Sequence, residues 1–211
     1  MDFTLIATGL AIGLAIAAPF GPVNIMVIRG TLRRGLAGGL AAGGGSLLAD
    51  SFFAVIAAYG LRAVEHFFTG HAVALDITGG VLLVGFGLHT ARAHFSAADL
   101  AAPPEEASAA QLWRKGLTTF STTVTNPGAL LGVFAVFGTM AGLLRLTEGP
   151  WRPLVAVASF AVGGAVWWMA LTYMVHRLKN RLRPSLLDGV NRWTGVVIAA
   201  FGFALLMQAA A

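Results

Sequence analysis

The 211-residue chain is 57% hydrophobic and 11% charged, with a mean hydropathy of +0.78; a soluble globular chain carries about 25% charged residues, so this one lacks the polar surface to cover itself in water. Its net charge of +5 does not point to nucleic acid, because the basic residues sit in short loops between apolar segments and form no patch with interleaved aromatics. Cysteine is absent, which excludes a disulfide frame, thiol redox chemistry and a thiolate metal site.

The apolar residues fall into segments of roughly 20 or more, the length needed to cross a hydrocarbon core of about 30 Å. The pattern predicts an all-α membrane protein of six transmembrane helices, over 3–28, 36–61, 72–91, 116–144, 153–176 and 189–208. The first segment is read as a mature helix. Ala15-Ile16-Ala17 resembles a signal cleavage site, but no Lys or Arg precedes it and the apolar run outlasts a normal h-region. The connections are short except at 92–115, which contains AADLAAPPEEASAAQ and reads as a solvated linker ending in a brief helix before Trp113-Arg114-Lys115. A single transmembrane domain, 1–211, thus divides into repeat one (1–91), the cytoplasmic linker (92–115) and repeat two (116–211).

Lys and Arg set the expected orientation. Arg29, Arg33, Arg34, Arg92, Arg114, Lys115, Arg177, Lys179, Arg181, Arg183 and Arg192 fall on one side, against Arg62, Arg145 and Arg152 on the other. The positive-inside rule then puts loops one, three and five in the cytoplasm and both termini outside. Trp113, Trp151 and Trp193 fall near span ends, as interfacial anchors should. Glycine is abundant, and the spacings Gly35/Gly39/Gly43, Gly9/Gly13, Gly128/Gly132 and Gly138/Gly142 predict close helix packing in lipid.

Two spans are interrupted. PFGPVN at 19–24 breaks span one and TNPG at 125–128 breaks span four, half a chain length later. Three spans precede the linker and three follow, so the halves insert with opposite orientation, and matched interruptions in inverted repeats point to a transport site. Proline is tolerated at the first helical position, and Gly21 and Asn126 suit the cap positions before Pro22 and Pro127. Each break then starts a half-helix near the midplane with orphan N–H groups and a partial positive charge, a setting that favours a substrate carboxylate. Asn24 lies one turn into its half-helix and adds a side-chain hydrogen bond. The bland alternative is a plain proline kink.

Asp50 lies mid-span in GGGSLLADSFF. A central Asp costs roughly 2.5–3.5 kcal/mol on insertion scales, and such groups are functional candidates by default. It is suited to hold a substrate ammonium or to carry the coupling proton; the competing role is an interhelical hydrogen bond to a Ser, Thr or Asn. Lesser candidates are Asp76, near the outer interface, His89, at the far end of the same span, Asp188 paired with Arg192, and Trp167 and Trp168, of which one should line a cavity and the other face lipid.

GPVN at 21–24, RGTLRRG at 29–35, the following glycine-rich stretch to Asp50, TNPGALLGVF at 125–134 and LDGVNRWTGVVIAAFGFALL at 187–206 together resemble the LysE/RhtB family of amino-acid exporters. The resemblance implies a bacterial inner-membrane exporter of amino acids or close derivatives, driven by the proton gradient, not an enzyme, with no cofactor or metal. It places the substrate site at Gly21, Pro22, Asn24, Asp50, Asn126 and Pro127. Val23 stands where many relatives have a polar residue, and Gly128 where a Lys is common. The expected partners are the amino acid, protons and the lipid bilayer, and a homo-oligomer is compatible with the sequence. A rival reading is a transporter of a metal ion or other small solute, although a hard cation wants several carboxylates and the spans offer only Asp50 and Asp76. An intramembrane enzyme lacks an HExxH or GxSxG signature, and a non-transporting scaffold would need neither matched breaks nor a central acid.

Overall fold

The computed structural model describes residues 3–18, 22–60, 72–94, 106–144, 146–179, 181 and 183–210, among which there is no strand. Seven helices occur there: α1 (Phe3–Ala17), α2 (Pro22–Tyr59), α3 (Ala72–Ala91), α4 (Ala109–Val124), α5 (Pro127–Leu144), α6 (Arg152–Leu178) and α7 (Pro184–Ala209).

α2 is two helices joined through a sharp reversal. Arg34 leaves helical geometry (φ −128°, ψ 21°) and Gly35 takes φ 61°, ψ −157°, a left-handed φ that glycine reaches without the Cβ penalty. The two arms fold back on each other so closely that a Cβ on Gly30 would stand 2.7 Å from the carbonyl oxygen of Gly38. The arm 22–33 therefore completes the first span and 36–59 forms the second, close to the predicted boundaries. Gly35 was expected to open a packing series; it makes the turn instead, with nothing within 4 Å of where its Cβ would be.

The second arm of α2, within Val23–Tyr59, and Arg152–Leu178 are long and apolar enough to cross a membrane, and α4 with α5 forms a third such span, bent by 66° at its break. The other predicted spans coincide with α1 plus the first arm of α2, with α3 and with α7. α4 begins earlier than predicted. Ser108 and Gln111 form a capping box, each side chain bonded to the other's backbone N–H, and the helix then runs through Trp113-Arg114-Lys115 without interruption. The brief helix expected at the end of the linker is thus the start of α4. α7 likewise starts at Pro184, five residues before the predicted 189, because proline fits the first helical turn.

Glycines let backbones touch. A Cβ on Gly13 would meet the Phe160 carbonyl and one on Gly163 the Leu10 carbonyl, which seats α1 along α6. Gly43 lies under Trp168, and Gly45 against the Gly116 carbonyl where α4 crosses the second arm of α2. The predicted Gly9/Gly13 and Gly39/Gly43 contacts are present. Gly132 and Gly138, by contrast, have open space beside them. Glycines outside the predicted series also meet: Gly80 and Gly87 of α3 and Gly195 and Gly202 of α7 face one another's backbones. These two helices pack chiefly on each other, with a lesser contact from α3 to α5. The rest of the interior is apolar: Phe53, Phe137 and Phe160 centre one cluster, with Phe137 and Phe160 edge to face at 5.6 Å, and Ile28, Trp168 and Leu171 centre the other.

Candidate functional site

Both interruptions are present. α1 ends at Ala17 and α2 starts at Pro22, while α4 ends at Val124 and α5 starts at Pro127. Gly21 lies outside the described residues, as do the side chains of Pro22 and Pro127. The ends of α1 and the start of α2 meet the α4–α5 break at one cavity of about 230 Å³, lined on its polar side by Asn24, Ser46, Asp50, Thr123 and Asn126. That is the space of about eight waters. Residues from three predicted spans, far apart in sequence, converge there.

The polar wall is connected. Ser46 Oγ donates to Asp50 Oδ2 at 3.3 Å, and Thr123 Oγ1 stands 3.2 Å from Ser46 Oγ and 3.0 Å from the Thr119 carbonyl, so its one proton has two acceptors in reach. Asp50 is 7% exposed and Asn24 2%. Trp167 Nε1 donates to Asn24 Oδ1 at 3.4 Å, a long bond that orients the amide. The bond considered for Asp50 was interhelical; the one present is to Ser46, one turn earlier on the same helix, and it leaves the carboxylate at the cavity edge.

The second break differs from expectation in one respect. Asn126 caps α5 with its own side chain, Oδ1 accepting the Gly128 N–H at 3.0 Å, and its carbonyl accepts Ala129 N–H at 3.1 Å and Leu130 N–H at 3.2 Å. The Asn126 N–H in turn reaches the Thr123 carbonyl at 3.0 Å. The donors expected to be orphaned are thus satisfied within the chain, because a cap residue folds its oxygen over the helix it starts. What this break offers the cavity is its dipole and the amide group of Asn126.

Ser46 and Thr123 were not singled out as site residues by motif reasoning. The hydroxyls sit one turn from Asp50 and from Asn126, a spacing that marks them in retrospect. Of the two tryptophans, one was expected to line a cavity, and Trp168 does. It is buried, its indole N–H without an acceptor among the described residues, and Trp167 is half-buried on Asn24. Asp188 lies 3.2 Å from His94, at the end of the α3–α7 pair where Arg29 donates to the His94 carbonyl and Asn191 to the Ala93 carbonyl. His89 is exposed, and the Asp76 side chain lies outside the described residues. No group of three or more His, Asp or Glu that could hold a metal occurs among the described residues.

The chain is similar over nearly its whole length to known transport proteins. It is 29% identical over 206 residues to arginine exporter protein ArgO of Serratia proteamaculans (strain 568), covering 96% of each chain. It is 28% identical over 212 residues to arginine exporter protein ArgO of Klebsiella pneumoniae (strain 342), covering 99% of this chain and 94% of that one. It is 23% identical over 196 residues to YcgF of Bacillus subtilis (strain 168), provisionally named an amino acid efflux protein, covering 92% and 91%. No solved structure matches it. The LysE type translocator family matches residues 14–209, and with that match the chain belongs to the LysE type translocator family: it is a multi-pass membrane transporter and not an enzyme.

Proposed function

We propose that the protein is a secondary active exporter of amino acids or close derivatives in the bacterial inner membrane, driven by the proton gradient, and that the 230 Å³ cavity is its substrate site. The observation that carries this reading is the meeting of both helix breaks and Asp50 on that one cavity. The substrate carboxylate lies between the N-terminal ends of the first arm of α2 and of α5, where both dipoles favour an anion. Asn24 and Asn126 supply side-chain groups there, with Gly21, Pro22 and Pro127 shaping the breaks. The C-terminal end of α1, at Ala15–Ala17, carries the opposite partial charge and joins Asp50 in favouring an ammonium. Asp50 serves either as that counter-charge or as the carrier of the exchanged proton. The buried indole N–H of Trp168 calls for an acceptor, which a bound carboxylate provides.

The repeat architecture is part of the proposal. α1 lies along α6 as α4 lies along the second arm of α2, while α3 pairs with α7. This pattern maps onto itself when the first three spans are exchanged with the last three, which supports two inverted halves, 1–91 and 116–211. The positive-inside count supports cytoplasmic loops one, three and five with both termini outside.

The test is efflux from cells expressing the protein and challenged with amino acids and dipeptides, with Asp50→Asn beside the wild type. The expected result is export and resistance by the wild type, reduced at least tenfold by the substitution at equal membrane abundance. Export of a metal or an unrelated solute in place of any amino acid refutes the reading, and export that is indifferent to Asp50→Asn removes Asp50 from the mechanism.

A further inference from the structure

The cavity has two unlike walls. Asn24, Ser46, Asp50, Thr123 and Asn126 come from α2, α4 and the α4–α5 break, whereas the α3–α7 pair contributes Leu83, Phe86 and Ile198 among the described residues. Those two helices pack mainly on each other, and the lining residues they contribute are apolar, so they give the cavity an apolar face to which Ile16, Val23 and Ala129 add. Resting on the exporter reading above, we propose that this site selects a neutral amino acid with an apolar side chain of modest size, and that Leu83, Phe86 and Ile198 determine that selection.

The chemistry divides cleanly. Every amino acid carries the same ammonium and carboxylate, and the polar wall with its two helix breaks matches that common part. The variable part must then lie against Leu83, Phe86 and Ile198. An aliphatic side chain loses only water there, which favours binding. A guanidinium brings five N–H donors and a charge to a surface that accepts no hydrogen bond, and a buried charge without a partner is strongly disfavoured. The volume of about 230 Å³ is room enough for a single amino acid with an aliphatic side chain. The selectivity thus differs from that in the names of the two arginine-exporting relatives.

The test uses the purified full-length protein in proteoliposomes with an imposed proton gradient, measuring transport of leucine, valine, serine and arginine. Leucine and valine should move at least tenfold faster than arginine. Ile198→Asp should lower leucine transport and raise arginine transport. Phe86→Ala, a milder change that only enlarges the apolar end, should shift preference from valine toward phenylalanine. Wild-type protein that moves arginine but not leucine overturns this inference and leaves the exporter reading standing. Protein that moves no amino acid at all overturns the exporter reading itself. An unchanged preference in Phe86→Ala removes the apolar wall from the account of specificity.

Discussion

Gly43, Gly44 and Gly45 are consecutive on one helix, yet their surroundings call for three different responses to alanine. A Cβ on Gly45 would collide with the backbone carbonyl of Gly116 on α4, one on Gly43 would stand 2.8 Å from Trp168 Cβ and 2.9 Å from its Cγ, and one on Gly44 would meet nothing within 4 Å. Replacing glycine by alanine inside a helix gains about 1 kcal/mol of propensity at each position. Overpacking costs about 1–3 kcal/mol, and a carbonyl fixed in a helix cannot swing aside as a side-chain tip can. Gly45→Ala should therefore lose about 2 kcal/mol net, Gly43→Ala should lose about 1 kcal/mol as the Trp168 side chain shifts, and Gly44→Ala should gain up to about 1 kcal/mol. Reversible unfolding in mixed detergent, followed by the tryptophan signal, reads all three. If Gly45→Ala proves as stable as Gly44→Ala, α4 does not cross α2 at Gly116 as described.

Two further substitutions test the site. Asn126→Ala removes the α5 cap and should cost about 0.5–2 kcal/mol in the same unfolding assay, with a larger loss of export than of stability if the amide also meets substrate. Trp167→Phe deletes the 3.4 Å donor to Asn24 and keeps the ring; at about 0.5–1.5 kcal/mol for an ordinary hydrogen bond, it should raise the KM for export several-fold and leave membrane abundance unchanged.

Much of the fold was legible because lipid leaves few options: apolar runs must be helices, and a proline among them must break or kink one. Span 72–91 coincides with α3 to the residue, and both interruptions lie where Pro22 and Pro127 put them. The start at Pro184, and the continuity of the linker's last helix with α4 from Ala109, were missed for a local reason. A capping box and a first-turn proline extend a helix beyond its apolar stretch, and hydropathy is blind to both. Of the site, Asp50 and the asparagines stood out as polar groups in apolar surroundings. Ser46 and Thr123 did not, since hydroxyls commonly bond back to their own helix, as Thr123 does to Thr119, and carry no signal until a partner helix is placed beside them. Trp168 was undecidable because two adjacent tryptophans point apart by about 100° on a helix, and only the neighbours fix which turns inward.

The contact between α3 and α7 has a mechanical meaning. Where carbonyls of one helix rest in the glycine notches of the other, as at Gly80, Gly87, Gly195 and Gly202, sliding is blocked by main chain rather than by rotatable side chains. Any opening of the cavity on the flank of Leu83, Phe86 and Ile198 must then carry both helices together, like a door of two planks. The Arg29–His94 carbonyl bond ties one end of that door to the half-helix that holds Asn24.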